Sequence, residues 1–279
     1  MDTRMIKGTA GKLELYSDIP KSSNGSILFC HGICHAAWCW EKFLPFFSEQ
    51  GFASYAISYR QHGKSDKGFS IIKNYVDDVE DAIDFITDES GFRPHIVGHS
   101  MGGAVVQKML GQHYDRISSA TLFASATAPK MPILKTFIGS WFIQCFRLAN
   151  IIACSGKAFA GETLLKSAFF SGGNINAVEL DRYSKLLQRE PLFVPFELFL
   201  IKYSNNYDIP QSFPILVMGS RNDSYFPEES IKKTAEMYKR KPFILDGLCH
   251  DMMLDVKWEE AANCVLDFIV QHPCNKIKQ

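Results

Sequence analysis

The sequence predicts an α/β fold: a mostly parallel central sheet of about eight strands, flanked by helices and interrupted by a helical insertion. Three observations lead there. Short, nearly continuous apolar runs such as Ser26-Ile27-Leu28-Phe29-Cys30 and Pro214-Ile215-Leu216-Val217-Met218-Gly219 read as strands buried on both faces, the habit of parallel sheets. Helical patterns lie between such runs, most clearly Tyr75, Val79, Ile83 and Ile86 at three- and four-residue spacing. Finally, Pro94-His95-Ile96-Val97 runs through Gly98-His99-Ser100-Met101-Gly102-Gly103 straight into a helical pattern, giving a strand, a very tight turn and a helix.

Taken in order, Lys12 to Tyr16 alternates as an early strand, Ser22 to Gly25 is a turn, and the strand at Ser26 ends at His31-Gly32. Ala36 to Gln50 carries Trp38, Phe43, Phe46 and Phe47 at broadly helical spacing. Ala53 to Tyr59 is a strand that empties into the loop Arg60-Gln61-His62-Gly63-Lys64-Ser65, and Asn74 to Thr87 is an amphipathic helix. After the strand and helix around Ser100, Ile117 to Ala124 makes another strand. The alternation then stops. Residues 129–210 read as helical pieces only (Ile133 to Ile152, Ala158 to Phe170, Asn176 to Leu187, Pro195 to Tyr203), a cap inserted in a core of residues 1–128 and 211–279. The strand at Pro214, a helix at Glu228 to Lys239, a short strand at Pro242 to Leu245 and a last helix at Val256 to Gln271 complete the core.

Composition narrows the classes of function. With 46% hydrophobic and 22% charged residues the chain is an ordinary globular protein. Thirty basic residues balance thirty acidic ones, which leaves no electrostatic case for nucleic acid or a strongly acidic partner. Met1 to Lys7 is polar, so no secretory leader is expected, and no apolar run reaches membrane-spanning length. Eight scattered cysteines are expected as free thiols in a reducing cytoplasm.

The turn at Ser100 is the centre of the chemistry. Gly-x-Ser-x-Gly alone arises by chance in roughly one chain in ten of this length, but between a strand and a helix it describes a strained backbone that presents a serine hydroxyl outward, with glycine demanded two residues before and two after. A serine is a poor nucleophile without a base and a group to orient that base. Asp223, after the strand ending at Gly219, and His250, after the strand ending at Leu245, stand at strand ends where α/β sheets gather ligands, in the chain order Ser, acid, His. The backbone amides of Ile33 and Met101 are candidate oxyanion donors, each worth about 3–4 kcal/mol of barrier. His99 is expected to pack at the turn, Asp251 to point away into solvent, and Asp246 to lie too near His250 in sequence to orient it. Cys30, His31, Cys34, His35 and Cys39 match no metal-ligand spacing, so neither metal nor cofactor is expected.

These residues resemble the α/β-hydrolase fold family over nearly the whole length: His31-Gly32 after a strand, the Arg60 to Ser65 loop, Gly98 to Gly103, Gly219 with Asp223, and His250. The resemblance implies a Ser100–Asp223–His250 triad with the Ile33 and Met101 amides as oxyanion hole. The Gln61 to Ser65 loop and the helical insertion look like bacterial carboxylesterases and monoacylglycerol-lipase-like enzymes, whereas Ile33 to Trp40 resembles the plant methylesterase and hydroxynitrile lyase group. The lyases carry a threonine where this chain has Gly32 and a lysine where it has Asp251, and both departures argue against cyanohydrin chemistry.

The expected activity is hydrolysis of small carboxylic esters with an apolar acyl group. The cap's apolar stretch supplies Trp141, Phe142 and Phe146 as candidate pocket residues. A lipid surface is a candidate for transient contact. C–C bond hydrolysis, amide or lactone cleavage with the same triad, and a non-catalytic small-molecule receptor stay open as alternatives.

Overall fold

The computed structural model describes residues 1–126, 166, 169–170, 174–191, 193–200 and 209–277. Among the described residues eight strands form a single sheet: β1 (Asp2–Gly8), β2 (Gly11–Asp18), β3 (Ser26–Cys30), β4 (Ala53–Ser58), β5 (His95–His99), β6 (Ser119–Phe123), β7 (Ile215–Ser220) and β8 (Pro242–Leu245). Their spatial order is β1-β2-β4-β3-β5-β6-β7-β8. β1 and β2 form an antiparallel hairpin, β2 runs antiparallel to β4, and all later neighbours are parallel. The central strands β3, β4, β5 and β6 are buried at every position, as their unbroken apolar runs require.

β1 is the strand that periodicity does not reveal. Only Ile6 of its seven residues is buried, because it is an edge strand with little core to cover. The helices are α1 (Phe43–Glu49), α2 (Ile72–Ser90), α3 (Met101–His113), α4 (Ala177–Leu186), α5 (Phe193–Leu200), α6 (Glu228–Met237) and α7 (Trp258–Val270). The helix expected at Ala36 to Gln50 is a 3₁₀ turn, Ala37–Trp40, followed by the shorter α1. Its aromatics still pack inward: Phe29 of β3 meets Trp40, Phe43 and Phe47 with ring centroids 4.8–5.8 Å apart.

The parallel register is what positions the site. Cys30 lies opposite Gly98, His99 opposite Phe123 and Ser220 opposite Leu245, so the carboxyl ends of β3, β5, β6, β7 and β8 share one edge of the sheet. Every candidate catalytic residue follows one of those ends.

Of the expected cap, α4 and α5 lie among the described residues, whereas Ile133 to Ile152 and most of Ala158 to Phe170 lie outside them. α4 begins on Asn176, whose Oδ1 accepts the Glu179 amide at 2.8 Å while its Nδ2 donates to the Glu179 carboxylate. It seats on the core through Arg182 to Glu41, Lys42 to Glu179 at 3.0 Å, and Tyr183 stacked over Trp38 at 5.7 Å.

Candidate active site

Ser100 sits where β5 turns into α3, with φ 51° and ψ −115°, a conformation that strains any residue with a side chain. Its amide donates to Phe123 O at 3.1 Å and its carbonyl accepts from Gly103, Ala104 and Ala126, so the surrounding backbone fixes the strained geometry. The turn is too crowded for anything but glycine on either side. A Cβ at Gly98 would stand 2.6 Å from Gly102 O, and one at Gly102 would stand 2.5 Å from Cys30 O and 2.6 Å from His31 O.

Asp223 and His250 are brought together directly. The loop after β7 folds back through Asp223 N to Ser220 O, and Asp223 Oδ1 accepts the amides of Tyr225 and Phe226 at 2.7 and 3.0 Å. That leaves Oδ2 to take the His250 Nδ1–H at 2.8 Å. Both side chains are almost wholly buried, and the His250 ring lies among Tyr225, Phe226 and His99. Burial works against an imidazolium here, but the Asp223 carboxylate outweighs it and raises the proton affinity of His250 above that of a free imidazole. Nδ1 is therefore the protonated nitrogen in the neutral ring, and Nε2 is the basic one.

Among the described residues, no hydrogen bond joins Ser100 Oγ to His250 Nε2. The two halves of the site meet through His99, whose Nε2 donates to His250 O at 3.2 Å and whose ring stands 4.7 Å from the His250 ring. His99 is buried at the turn, as its sequence position predicts, and burial first, then the neighbouring His250, hold it neutral.

Met101 follows the serine directly, and Ile33 follows Gly32 in the loop after β3. Gly32 approaches the serine so closely that a Cβ there would lie 3.1 Å from Ser100 Cβ and 2.8 Å from His99 Nδ1, so a threonine does not fit. Among the described residues neither the Ile33 nor the Met101 amide donates to a protein acceptor. Met101 is also the first residue of α3, whose N-terminal dipole favours negative charge.

Asp251 overturns its expectation. It is fully buried rather than solvated: Oδ2 pairs with His35 Nε2 at 3.0 Å, and Oδ1 stands 3.6 Å from His99 Nε2. Burial alone would raise its pKa, but His35, then His99 and His250, bring it below the ordinary aspartate value. The partner is 216 residues away, so only the fold exposes the pairing. Asp246, by contrast, is exposed and pairs with Arg221.

A second buried carboxylate also escaped sequence reading. Glu190, just after α4, accepts from Cys34 N at 2.9 Å, His62 Nε2 at 3.1 Å and Tyr75 Oη at 2.8 Å.

Among the described residues, no group of three ligand atoms close enough to share an ion includes Cys30, His31, Cys34, His35 or Cys39. The thiols of this segment are buried and raised well above the usual cysteine range or to about 12, by burial first, and its histidines bond elsewhere: His31 Nδ1 to Gly32 O, His35 to Ile33 O and Asp251. His99, His250 and Asp251 do bring ligand atoms within 4.8 Å of one another, but an ion there would occupy the same imidazole that Asp223 orients. The pocket candidates Trp141, Phe142 and Phe146 lie outside the described residues. No described helix is long and apolar enough to cross a membrane.

A family model described as "alpha/beta hydrolase fold" matches residues 25–144. Among curated proteins, the chain is 32% identical over 100 residues to methyl jasmonate esterase 1 of Vitis vinifera, covering 36% of this chain and 38% of that one. The first curated relatives are all matched over less than two thirds of their own length. Solved structures align over almost everything: a thermophilic esterase from Thermogutta terrifontis with TM-score 0.73 and 16% identity over 98% of this chain and all of that one, and a bromoperoxidase from Bacillus anthracis with TM-score 0.75 and 17% identity over 96% and 99%. At such identities these two neighbours, with their different named activities, speak for architecture and not for reaction. By its sheet topology, its serine turn and the matched segment, the chain has the α/β-hydrolase fold.

Proposed function

We propose that this protein is a serine hydrolase of carboxylic esters with an apolar acyl group, working through an acyl-enzyme on Ser100. The observation that carries the reading is the 2.8 Å bond between buried Asp223 and His250 at the sheet edge that also bears the strained Ser100. His250 Nε2 takes the Ser100 proton as Oγ attacks the ester carbonyl. The resulting oxyanion is received by the Ile33 and Met101 amides. His250 then returns the proton to the departing alcohol, and the acyl group stays on Oγ. Water, deprotonated by the same nitrogen, repeats the sequence and releases the acid. Asp223 holds the imidazole in the required tautomer and stabilises its charged form.

In this reading residues 129–210 are the cap, and the acyl-pocket candidates Trp141, Phe142 and Phe146 belong to its part outside the described residues. Trp38, Phe169, Phe170 and Tyr183 are buried together beside His35 and Asp251, an apolar setting that agrees with an apolar acyl group. The likeness to a plant ester hydrolase makes methyl esters of apolar acids the natural first substrates. Unpaired buried thiols at Cys30, Cys34, Cys39 and Cys249 suit a reducing compartment such as the cytoplasm.

Purified protein is assayed on p-nitrophenyl esters of increasing acyl length and on methyl esters. Turnover that rises with acyl length and vanishes in Ser100→Ala is the expected result, and hydrolysis unchanged in that variant overturns the mechanism.

A further inference from the structure

The segment from Gly32 to His35 contains the Ile33 amide, and buried carboxylates outside the triad hold it. Cys34 sits in the left-handed region (φ 64°), with its amide on Glu190 and its carbonyl accepting from Gln188 N at 2.8 Å. His35 follows, buried between two acceptors: Nδ1 faces Ile33 O at 2.7 Å and Nε2 faces Asp251 Oδ2 at 3.0 Å. A neutral imidazole has one N–H and satisfies one acceptor only. Through its two nitrogens the His35 ring spans from the Ile33 carbonyl to the Asp251 carboxylate.

The location of this pair matters more than its strength. Asp251 is the residue after His250, and Ile33 O belongs to the residue whose amide is the proposed oxyanion donor. One carboxylate thus joins the loop bearing the base to the loop bearing the oxyanion donor. Its backbone is pinned as well, since Asp251 N donates to Phe169 O and its carbonyl accepts from Leu254 and Asp255. A buried ion pair is weak evidence for stability, because well-packed apolar residues serve as well or better. A strut between two catalytic loops gives it another use.

We propose that Asp251 is a positioning residue, acting through His35 to set the Ile33 amide in register with Ser100 and His250. This rests on the ester-hydrolase reading. A displacement of about 1 Å at such a donor costs about 100-fold in rate, and loss of one donor about 100- to 1,000-fold.

The test compares wild type, Asp251→Asn, His35→Gln and the double variant. It measures kcat and KM on a p-nitrophenyl ester, the rate at which a fluorophosphonate labels Ser100, and the thermal midpoint, with all rates taken well below each midpoint. Each single variant is expected to lose about 10- to 100-fold in kcat and in labelling rate, with KM within about twofold. The double variant is expected to be no slower than the slower single, because the two side chains act as one unit. Variants that lose thermal midpoint but keep wild-type kcat and labelling overturn the inference, as do losses that simply multiply. Should Asp251→Asn fail to fold, His35→Gln alone decides through its labelling rate. Wild type that neither turns over esters nor labels overturns the ester-hydrolase reading as well, whereas labelled wild type with equally labelled variants overturns this inference alone.

Discussion

Replacing Asp223 by asparagine changes almost nothing in shape and inverts one hydrogen bond. Asp223 Oδ1 is committed to the Tyr225 and Phe226 amides, which only an oxygen can accept. The asparagine therefore keeps its oxygen there and turns its NH₂ toward His250 Nδ1. The imidazole answers by moving its proton to Nε2, the nitrogen that receives the serine proton in the proposed mechanism. A triad in the wrong tautomer loses about 10,000-fold in kcat, about 5 kcal/mol of barrier, while the fold, with its loop bonds kept, is barely affected. Steady-state hydrolysis of p-nitrophenyl acetate reads the loss, and denaturant unfolding checks the fold. The pH profile supplies an independent reading. Because Asp223 lifts the His250 pKa above 6.5, the wild-type rate falls as pH drops through a midpoint above that value, where the base becomes protonated. With the carboxylate gone, the imidazole titrates lower, which NMR of the His250 ring detects. A rate loss under tenfold, or an unmoved titration, would refute the orientation argument.

Gly102→Ala forces a methyl within 2.6 Å of two backbone carbonyls, and about 3 kcal/mol of lost stability is expected in urea unfolding. Arg60→Met strands Asp78, a buried carboxylate that now receives the Arg60 amide and both Nε and Nη2 of its side chain; about 3–5 kcal/mol is the expected cost by the same measurement. His95 is held neutral, with its pKa lowered to about 4, chiefly by burial. Since unfolding restores an ordinary imidazole near 6.5, its contribution is complete above pH 6.5 and is lost as pH falls toward 4, by about 3 kcal/mol. Urea midpoints at pH 7, 5.5 and 4 follow this, and His95→Leu flattens that part of the decline.

What was legible in the chain was whatever local spacing or crowding dictates. The serine turn needs glycines within two residues of it, and the central strands announce themselves because both their faces are buried. Asp223 and His250 were legible by position, since each follows a strand end. β1 was not, for an edge strand with one buried side chain has no pattern to show. Asp251 was misread because a carboxylate's burial is decided by its partner, and His35 reaches it only through the fold. Glu190 hid for the same reason: its three partners lie 115, 128 and 156 residues away.

The acid and base loops are also laced to each other away from the imidazole: Ser220 Oγ donates to Leu248 O at 2.6 Å, Gly247 N to Asn222 Oδ1 at 2.8 Å, and Arg221 N to Leu245 O at 2.8 Å. The entropy of aligning Asp223 with His250 is thus spent once, when the chain folds, and not at each turnover. The alignment of the dyad therefore does not hang on the single contact between Asp223 and His250.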